Sequence, residues 1–412
     1  MVLSLSSHNV IHYLHQAGLC SSEEGINSYF ELPQTSQKNL NLLVTLPGNQ
    51  KLLVKQEQCI DNNENPHEFW NEWLFHQLLQ QFPVLGNISA AASLVVHFEQ
   101  EKSILVRHYL KEYFELASFY QKNLHFPKAI ASAIGSSLGA LHRATFNRRE
   151  YRDFMATAPE GQFRYQFYNP AQGIESIGPE IFGNVPTEAL KFYALYQRYE
   201  SLEAAISELA YEWNPCCLTH NDLKLENVLV HSRWEKLDNC LIRLIDWEAC
   251  SWGDPAFDLG TLVASYLTLW LESLVVDPTL ELEESLLLAA IPLEVIQPSL
   301  LTLILAYLDT FPVILEYRCE FVQRVIQFAG LVLLHRIKEK INFHKYFDNS
   351  SICMFKFAQS LLSRPQESVL TVFGITESEI LKLFTKFVQL SHPKKQNNLL
   401  RLYYNKTRLR GC

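Results

Sequence analysis

A short polar segment between two apolar runs constrains this chain more than any other feature of its sequence. Residues 218–227 read LTHNDLKLEN, follow the apolar pair Cys216-Cys217 and precede the β-rich run 228–230, VLV. Because both flanks are apolar, we expect the chain to hold this segment rigidly, as a loop that aims a catalytic carboxylate must be held. The rest of the fold must therefore support this loop.

Two acids and an amide follow one another at fixed spacing from this loop. Asn227 lies five residues after Asp222, and Asp246 lies nineteen residues further on in a second apolar run, 241–250, LIRLIDWEAC. Phosphoryl transfer from ATP needs such a set, because the protein mainly positions groups and neutralises charge through metal ions. One Asp can orient the attacking hydroxyl and accept its proton. The Asn and the other Asp offer the hard oxygen ligands that magnesium prefers.

The sequence motifs in both segments are similar to those of a known family. His220-x-Asp222-x-x-x-x-Asn227, followed by a later Asp, resembles the catalytic loop and metal site of the protein-kinase-like fold. Asp246-Trp247-Glu248 stands where a protein kinase has Asp-Phe-Gly, and 253–259, GDPAFDL, follows it. In combination they resemble the aminoglycoside phosphotransferase and choline kinase superfamily. The match extends over about forty residues, and its joint spacing makes it specific.

This resemblance implies an α+β fold with two lobes. Residues 1–110 would form the nucleotide-binding lobe, a small antiparallel β-sheet with a leading helix and one acidic helix. Residues 111–412 would form a large, mainly helical lobe with the catalytic loop, the acceptor site and a basic C-terminal tail. The implied cofactors are ATP and Mg²⁺.

The resemblance also assigns roles. Asp222 would be the catalytic base, and Asn227 and Asp246 would be the magnesium ligands. His220 and Asp258 would support the loop and the metal-binding segment through hydrogen bonds.

Composition restricts the class of protein. With 48% hydrophobic and 19% charged residues, the 412-residue chain has the profile of a folded soluble protein. The net charge of -9 argues against a nucleic-acid partner. Nine Cys without CxxC spacing indicate a reduced interior, and no secretory signal is evident, so we expect a cytoplasmic protein.

Two long apolar runs, 259–276 and 300–317, could be mistaken for membrane spans. The first contains Glu272 and the second contains Asp309. Because each charge is costly in lipid, we interpret both runs as interior helices of the larger lobe and expect no membrane association.

The first 110 residues follow the pattern of a β-rich lobe. Helical spacing is present within 8–20, and strand-like runs occupy 28–32, 39–46 and 51–57, with a hairpin turn at 47–50. An acidic-then-apolar helix is predicted over 67–82, and two further strands are predicted within 88–110.

Lys55 is the candidate phosphate contact of this lobe. It ends the run Leu-Leu-Val-Lys in the third predicted strand, where the resemblance places the lysine that contacts nucleotide phosphates. The alternative is an edge-strand lysine that faces water. Its expected partner is Glu72 on the acidic helix, with Glu68 in reserve.

The loop before the second strand departs from the family pattern. Residues 32–38 contain no Gly, so backbone amides are less free to approach a phosphate. Asn39 follows this loop, where family members often carry an Asn. Val106 and His108 lie in a segment that resembles the hinge whose backbone meets adenine.

The second lobe is less patterned. We predict a central helix over 129–143, an irregular insertion over 147–186 and one amphipathic helix over 187–213, with helices from Asp258 to the end. The insertion carries four arginines that could line an acceptor site or cover a packed surface. Acids at 272 and 281–284 could suit an amine-bearing acceptor, and the basic stretch 393–411 could dock an acidic partner. The favoured interpretation is a solvated helix face for the acids and a frayed, solvated end for the basic stretch.

Lys224 is the one residue of the loop that bears on the acceptor. Ser/Thr protein kinases carry Lys two residues after the catalytic Asp, and this cation could contact the moving phosphoryl group as part of the catalytic machinery. A surface lysine is the alternative.

Three functions remain open from the sequence. The first is a kinase for an alcohol hydroxyl of a small molecule. The second is a kinase for Ser/Thr in a ribosomally made precursor peptide, with a partner lyase that eliminates the phosphate. The third is a kinase-like binding module without catalysis. The acceptor itself is not named by the sequence, because acceptor pockets in this fold come from its least patterned segments.

Overall fold

The computed structural model describes most of the chain and divides it into two compact units. The described residues are 4–20, 28–31, 39–57, 68–92, 94–157, 169–171, 186–237, 240–275, 284 and 288–391. The first unit comprises Met1–Glu115, Arg149–Gln166 and Leu229–Ser251. The second unit comprises Leu116–Arg148, Phe167–Val228 and Trp252–Cys412.

A five-stranded sheet forms the centre of the first unit. The strands are β1 Ser28–Glu31, β2 Asn39–Thr45, β3 Lys51–Glu57, β4 Val95–Glu99 and β5 Ile104–His108. Their order in the sheet is β1-β2-β3-β5-β4, and the strand pairs are antiparallel. The predicted hairpin turn is present as a single turn of 3-10 helix, Pro47–Asn49, in which Gly48 takes the left-handed φ of 79° that favours glycine.

Each face of this sheet has its own core, as strand alternation requires. One face, with Val54 and Val106, packs on the leading helix Val10–Gln16. The opposite face, with Leu105, packs on Phe69 of the acidic helix Glu68–Gln81. Side chains that alternate with Val54 and Val106 therefore share the face of the acidic helix.

The first unit is completed by short elements. Tyr113–Glu115 pairs with Val228–His231, which in turn pairs with Ile242–Leu244. A helix, Gly86–Ala92, occupies part of the region where the sequence predicted a strand, and that strand begins only at Val95. Small residues at 90–92 fit a helix better than a pleated strand. The helix Arg149–Met155 opens the predicted insertion.

The second unit is largely helical. The central helix Lys128–Thr145 packs along Leu293–Thr310, and Pro255–Glu272 packs along Phe321–His344. A helix Cβ at position 260 would lie 2.6 Å from the Cβ of Phe328, so only Gly allows this close crossing. The remaining helices are Leu116–Asn123, Thr187–Tyr196, Glu200–Tyr211, Val313–Tyr317, Asn349–Ser363, Pro365–Phe373 and Glu377–Ser391.

The prediction of one helix over 187–213 is wrong, because the structure has two. After Tyr196, the N–H of Gln197 bonds back to the carbonyl of Tyr193, and Tyr199 leaves helical geometry with φ -118° and ψ 81°. Neither Gly nor Pro marks this break, so the apolar period alone could not reveal it. Most of the predicted insertion and the basic stretch 393–411 lie outside the described residues.

Among the described helices, Leu293–Thr310 alone is long and apolar enough to cross a bilayer by length and composition, with a mean hydropathy of 1.2. It packs along the central helix, and 44% of that window is buried inside the protein. The apolar run that begins at Leu259 lies in Pro255–Glu272, whose residues before Glu272 are buried. Packing against other helices accounts for the apolar character of both.

Replacing Gly135 with Ala tests the close packing of the second unit. A Cβ at this position would collide with the carbonyl oxygen of Leu303 and lie 3.1 Å from the amide nitrogen of Tyr307. Because two backbones would have to separate, we expect Gly135→Ala to lower the free energy of unfolding by about 1–3 kcal/mol in denaturant titrations. Gly86→Ala, with no atom within 4 Å of the added Cβ, is the matched control and should be neutral or slightly stabilising. Equal stability of both variants would contradict the packing.

Candidate active site

In the first unit, the chain around Asp246 is fixed by the acidic helix. Asp246 follows the strand Ile242–Leu244 and adopts left-handed geometry, with φ 63° and ψ 61°. The ring of Trp247 stacks on Phe75 with 4.0 Å between centroids, and its indole N–H donates to the carbonyl of Leu244 over 3.0 Å. The side-chain amide of Asn71 donates to the carbonyl of Glu248 over 3.0 Å. These contacts set the direction of the Asp246 carboxylate.

Two buried cations converge on that carboxylate. Lys55 Nζ lies 2.5 Å and Arg107 Nη1 lies 2.6 Å from the same atom, Oδ1 of Asp246. Burial by itself raises the pKa of Asp246, but Arg107 and Lys55 outweigh it and hold the pKa well below its ordinary value. The carboxylate is therefore ionised, although only 26% of its side chain is exposed.

Arg107 also contacts the acidic helix. Its Nη1 lies 3.9 Å from Oε1 of Glu72, and the residue is only 8% exposed. Burial lowers the pKa of Arg107, but Asp246 and Glu72 outweigh this effect and raise the pKa above its usual value. The guanidinium is thus a permanent charge inside the unit.

Sheet register brings the two cations together. Lys55 is opposite Leu105, and Leu53 is opposite Arg107, across β3 and β5. Residues opposite each other, and residues two apart on a strand, share a face, so both cations lie on the face of the acidic helix. No role for Arg107 was predicted from the sequence. The pattern that could have indicated a role is a charged residue directly after the apolar run 104–106. A cation buried in this way needs an anionic partner.

The ion pairs differ from the expected pair of Lys55 with Glu72. The structure shows Lys55 with Asp246 and Glu72 with Arg107. The reserve candidate Glu68 is the first residue of the helix, and its side chain lies outside the described part of the protein.

The other predicted nucleotide contacts are less closely grouped. Asn39 is buried at the start of β2, opposite Glu57, and shares the face of Lys55 by register. Val106 points into the core on the other face. The N–H of His108 donates to the carbonyl of Leu94 over 2.9 Å, so it already has a partner within the unit. Neither Val106 nor His108 is brought to Lys55, and the loop 32–38 lies outside the described residues.

In the second unit, one buried carboxylate holds the polar loop 218–227. Asp258, which is 0% exposed, accepts the N–H of His220 at Oδ2 and the N–H of Asn221 at Oδ1, both over 2.8 Å. Its Oδ2 also lies 3.2 Å from Nε2 of His142, whose Nδ1 lies 2.9 Å from the hydroxyl of Tyr307. Asn221 takes a left-handed φ of 63°, which turns the chain toward Asp222.

The loop then brings Asp222, Lys224 and Asn227 together. The side-chain nitrogen of Asn227 donates to the carbonyl of Asp222 over 2.7 Å and to its Oδ2 over 3.0 Å. Both partners are acceptors, so the amide NH₂ must face them and Oδ1 of Asn227 must point elsewhere. Nζ of Lys224 lies 3.0 Å from the same Oδ2 of Asp222. Burial lowers the pKa of Lys224, but Asp222 outweighs it and raises the pKa.

Asp254 of the motif GDPAFDL stabilises the packing of two helices. Asp254 accepts the N–H of Ala256 at Oδ1, which caps the helix Pro255–Glu272, and it accepts Nε of Arg324 at Oδ2 over 2.8 Å. This ion pair ties the start of that helix to Phe321–His344. In the insertion, Arg149 is exposed and pairs with Asp153.

The predicted metal ligands suit a hard divalent cation. The described residues contain no group of three or more His, Cys, Asp or Glu side chains that could hold a metal ion. Magnesium does not require one, since it commonly uses one or two protein oxygens together with substrate phosphates and water. Asp246 uses one oxygen for both cations, and Asn227 directs its amide oxygen away from Asp222. The donor set of each unit is thus compatible with magnesium.

Replacing Asp258 with Asn tests how the loop is held. Asn has the same shape, but its NH₂ cannot accept a backbone N–H, so either His220 or Asn221 loses its acceptor. We expect the free energy of unfolding to fall by about 2–3 kcal/mol and amide hydrogen exchange of residues 218–224 to become faster. Asp309→Asn, at an exposed position of the second unit, is the control. Unchanged exchange in the loop of Asp258→Asn would refute this role.

Comparison with solved structures identifies the fold. An ethanolamine kinase of Plasmodium vivax matches with 14% identity over 87% of this chain and 86% of that chain, with a TM-score of 0.51. A choline/ethanolamine kinase family protein from Mesorhizobium loti matches with 15% identity over 89% of this chain and all of that chain, with a TM-score of 0.44. The ADP-bound aminoglycoside phosphotransferase APH(2'')-Ib matches with 15% identity over 89% and 99% of the two chains, with a TM-score of 0.41.

A search of curated proteins with the sequence found no significant match. The predicted α+β, protein-kinase-like fold is confirmed by the likeness to the ethanolamine kinase. The model of the family "APH: Phosphotransferase enzyme family" matches residues 37–285, more than half of the chain. This segment contains Lys55, Asp222, Asn227 and Asp246. The chain therefore belongs to the APH phosphotransferase enzyme family.

Proposed function

We propose that this chain is an ATP- and Mg²⁺-dependent phosphotransferase that moves the γ-phosphate to an alcohol hydroxyl of a small molecule. The observation that carries the proposal is the geometry of Asp222 in a member of a phosphotransferase family. Asn227 and Lys224 both contact Oδ2 of Asp222, so Oδ1 is the oxygen that can accept a proton. With 39% of its side chain exposed, Asp222 is open to an acceptor.

In the proposed reaction, Asp222 orients the acceptor hydroxyl and takes its proton. The hydroxyl oxygen forms a bond to the γ-phosphorus, the bond from that phosphorus to the bridging oxygen of ADP breaks, and ADP leaves. Lys224 lies next to Asp222 and can stabilise the negative charge of the phosphoryl group in transfer. Lys55 contacts the nucleotide phosphates. Asn227 and Asp246 would hold magnesium, which neutralises phosphate charge when bound.

Replacing Asp222 with Ala tests this assignment. Without a proton acceptor, turnover should fall by about 10²–10⁴-fold, while Mg²⁺-dependent binding of ATP persists, because Asp222 does not hold the nucleotide. Turnover is measured as ADP release in the presence of an acceptor that the wild-type protein phosphorylates. ATP binding is measured by calorimetry. Asp153→Ala, an exposed acid beside Arg149, is the matched control and should leave both values unchanged. Undiminished turnover of Asp222→Ala would exclude Asp222 as the base.

A second candidate acceptor is Ser/Thr in a precursor peptide. It is favoured by the contact of Lys224 with Asp222 over 3.0 Å, because Ser/Thr protein kinases carry Lys at this position. In this case a lyase would be a partner and would eliminate the phosphate. The third candidate, a binding module without catalysis, is disfavoured by the retained Lys55, Asp222, Asn227 and Asp246.

An acceptor panel separates these candidates. We expect mass spectrometry to show a gain of one phosphate on a sugar, amino alcohol or aminoglycoside, and none on Ser/Thr peptides. Phosphate on peptides alone would favour the precursor-peptide kinase, and a gene for a short precursor peptide with a neighbouring lyase gene would support it. No transfer to any acceptor, with intact ATP binding, would favour the binding module.

We also propose that the protein works in the cytoplasm, without a nucleic-acid or membrane partner. Supporting this, the seven cysteines of the described residues are free thiols, as a reducing compartment allows. The net charge of -9 disfavours binding to nucleic acid.

A further inference from the structure

Arg107 is a buried charge that the proposed reaction does not use. We propose that Arg107 prevents Asp246 from binding a divalent cation in the absence of nucleotide, so that the metal enters this site together with the nucleotide phosphates. The proposal rests on the proposed function, in which Asp246 is a metal ligand. It assigns to Arg107 control over the metal affinity of the donor site.

The contacts of Asp246 carry this inference. Arg107 and Lys55 lie 2.6 Å and 2.5 Å from one carboxylate oxygen, close enough for both to make charge-assisted hydrogen bonds to it. A metal ion bound to the same carboxylate would lie next to both cations. Because these groups are largely buried, their mutual repulsion would be screened far less than on a surface.

The charge balance of the cluster leads to the same conclusion. The two cations, Lys55 and Arg107, face two acids, Asp246 and Glu72, and Glu248 also attracts Arg107. These acids already compensate both cations, and a divalent ion alone would add two positive charges that at most one remaining acid could balance. The phosphates of a nucleotide bring negative charge, and Lys55 can then turn to them. Metal and nucleotide are thus expected to bind as a pair.

Arg107 is better suited to this task than Lys55. Its side chain is 10% exposed, it is anchored between Asp246 and Glu72, and its strand β5 lies inside the sheet between β3 and β4. The guanidinium therefore cannot move into water to make room for a metal. Arginine also keeps its positive charge in proteins, whereas a buried lysine can lose it.

Binding of Mn²⁺ alone tests the proposal. The protein is titrated with Mn²⁺ without nucleotide, and free Mn²⁺ is measured by electron paramagnetic resonance. We expect Arg107→Met, which keeps an unbranched apolar chain and removes the charge, to bind Mn²⁺ at least about tenfold more tightly than the wild type. Arg107→Lys retains the charge and should behave as the wild type does. The double variant Arg107→Met/Asp246→Asn should lose the added Mn²⁺ binding.

Matched variants keep the test decisive. Arg233→Met removes an exposed arginine of the same unit and should leave Mn²⁺ binding unchanged. If Arg107→Met does not fold, as judged by thermal unfolding, Glu72→Gln/Arg107→Met removes one charge of each sign and takes its place. A folded variant that binds Mn²⁺ no better than the wild type overturns the proposal. The proposal is also overturned if the added Mn²⁺ binding persists in the double variant Arg107→Met/Asp246→Asn.

This outcome is independent of catalysis, because neither nucleotide nor acceptor is present. Gain of an Asp246-dependent Mn²⁺ site in Arg107→Met would support the proposal even if the acceptor panel showed no transfer. Conversely, phosphate transfer by an enzyme whose Arg107→Met variant gains no Mn²⁺ binding would retain the proposed function and remove this inference.

Discussion

The shared carboxylate of Asp246 is the interaction on which the first unit depends. Burying Lys55 and Arg107 costs free energy unless an anion compensates them, and Asp246 provides one oxygen to both. Removing one partner of such a buried pair typically costs about 3–5 kcal/mol, because it leaves a charge uncompensated. The register of β3 on β5 and the stacking of Trp247 on Phe75 both serve this arrangement. The sheet, the acidic helix and the Asp246 segment are therefore interdependent.

The second unit holds its polar loop by hydrogen bonds from backbone N–H groups rather than by ion pairs. Asp258 is fully buried, and two backbone N–H groups of the loop and the His142 ring lie at hydrogen-bond distance from its oxygens. Backbone donors have no rotamers to lose, so the loop at His220 and Asn221 is rigid before any ligand arrives. Asp222 is the next residue in the chain, so its backbone position is fixed by the same hydrogen bonds.

Local patterns in the sequence predicted the strands of the sheet and the polar loop 218–227. They also proposed Lys55, Asp222, Asn227 and Asp246 as site residues. They could not predict the partners of the charges, because the neighbourhood of Lys55 and Arg107 depends on cross-strand register. Register is a non-local property, and a shift of one residue would have moved Arg107 to the other face. The break after Tyr196 was missed for a different reason, since neither Gly nor Pro marks it. The acceptor site could not be predicted, because the segments expected to form it lack a helical or strand-like hydrophobic period.

The use of carboxylate oxygens separates the proposed site acids from the structural acids in this protein. Asp254 and Asp258 are almost fully buried, and protein donors occupy both oxygens of each. The side-chain contacts of Asp222 converge on Oδ2 and those of Asp246 on Oδ1, and these side chains are 39% and 26% exposed. A carboxylate that is anchored through one oxygen is oriented, yet it can still accept a proton or a cation through the other. This distinction is geometric, so it supports Asp222 and Asp246 as ligand-facing groups independently of the family motif.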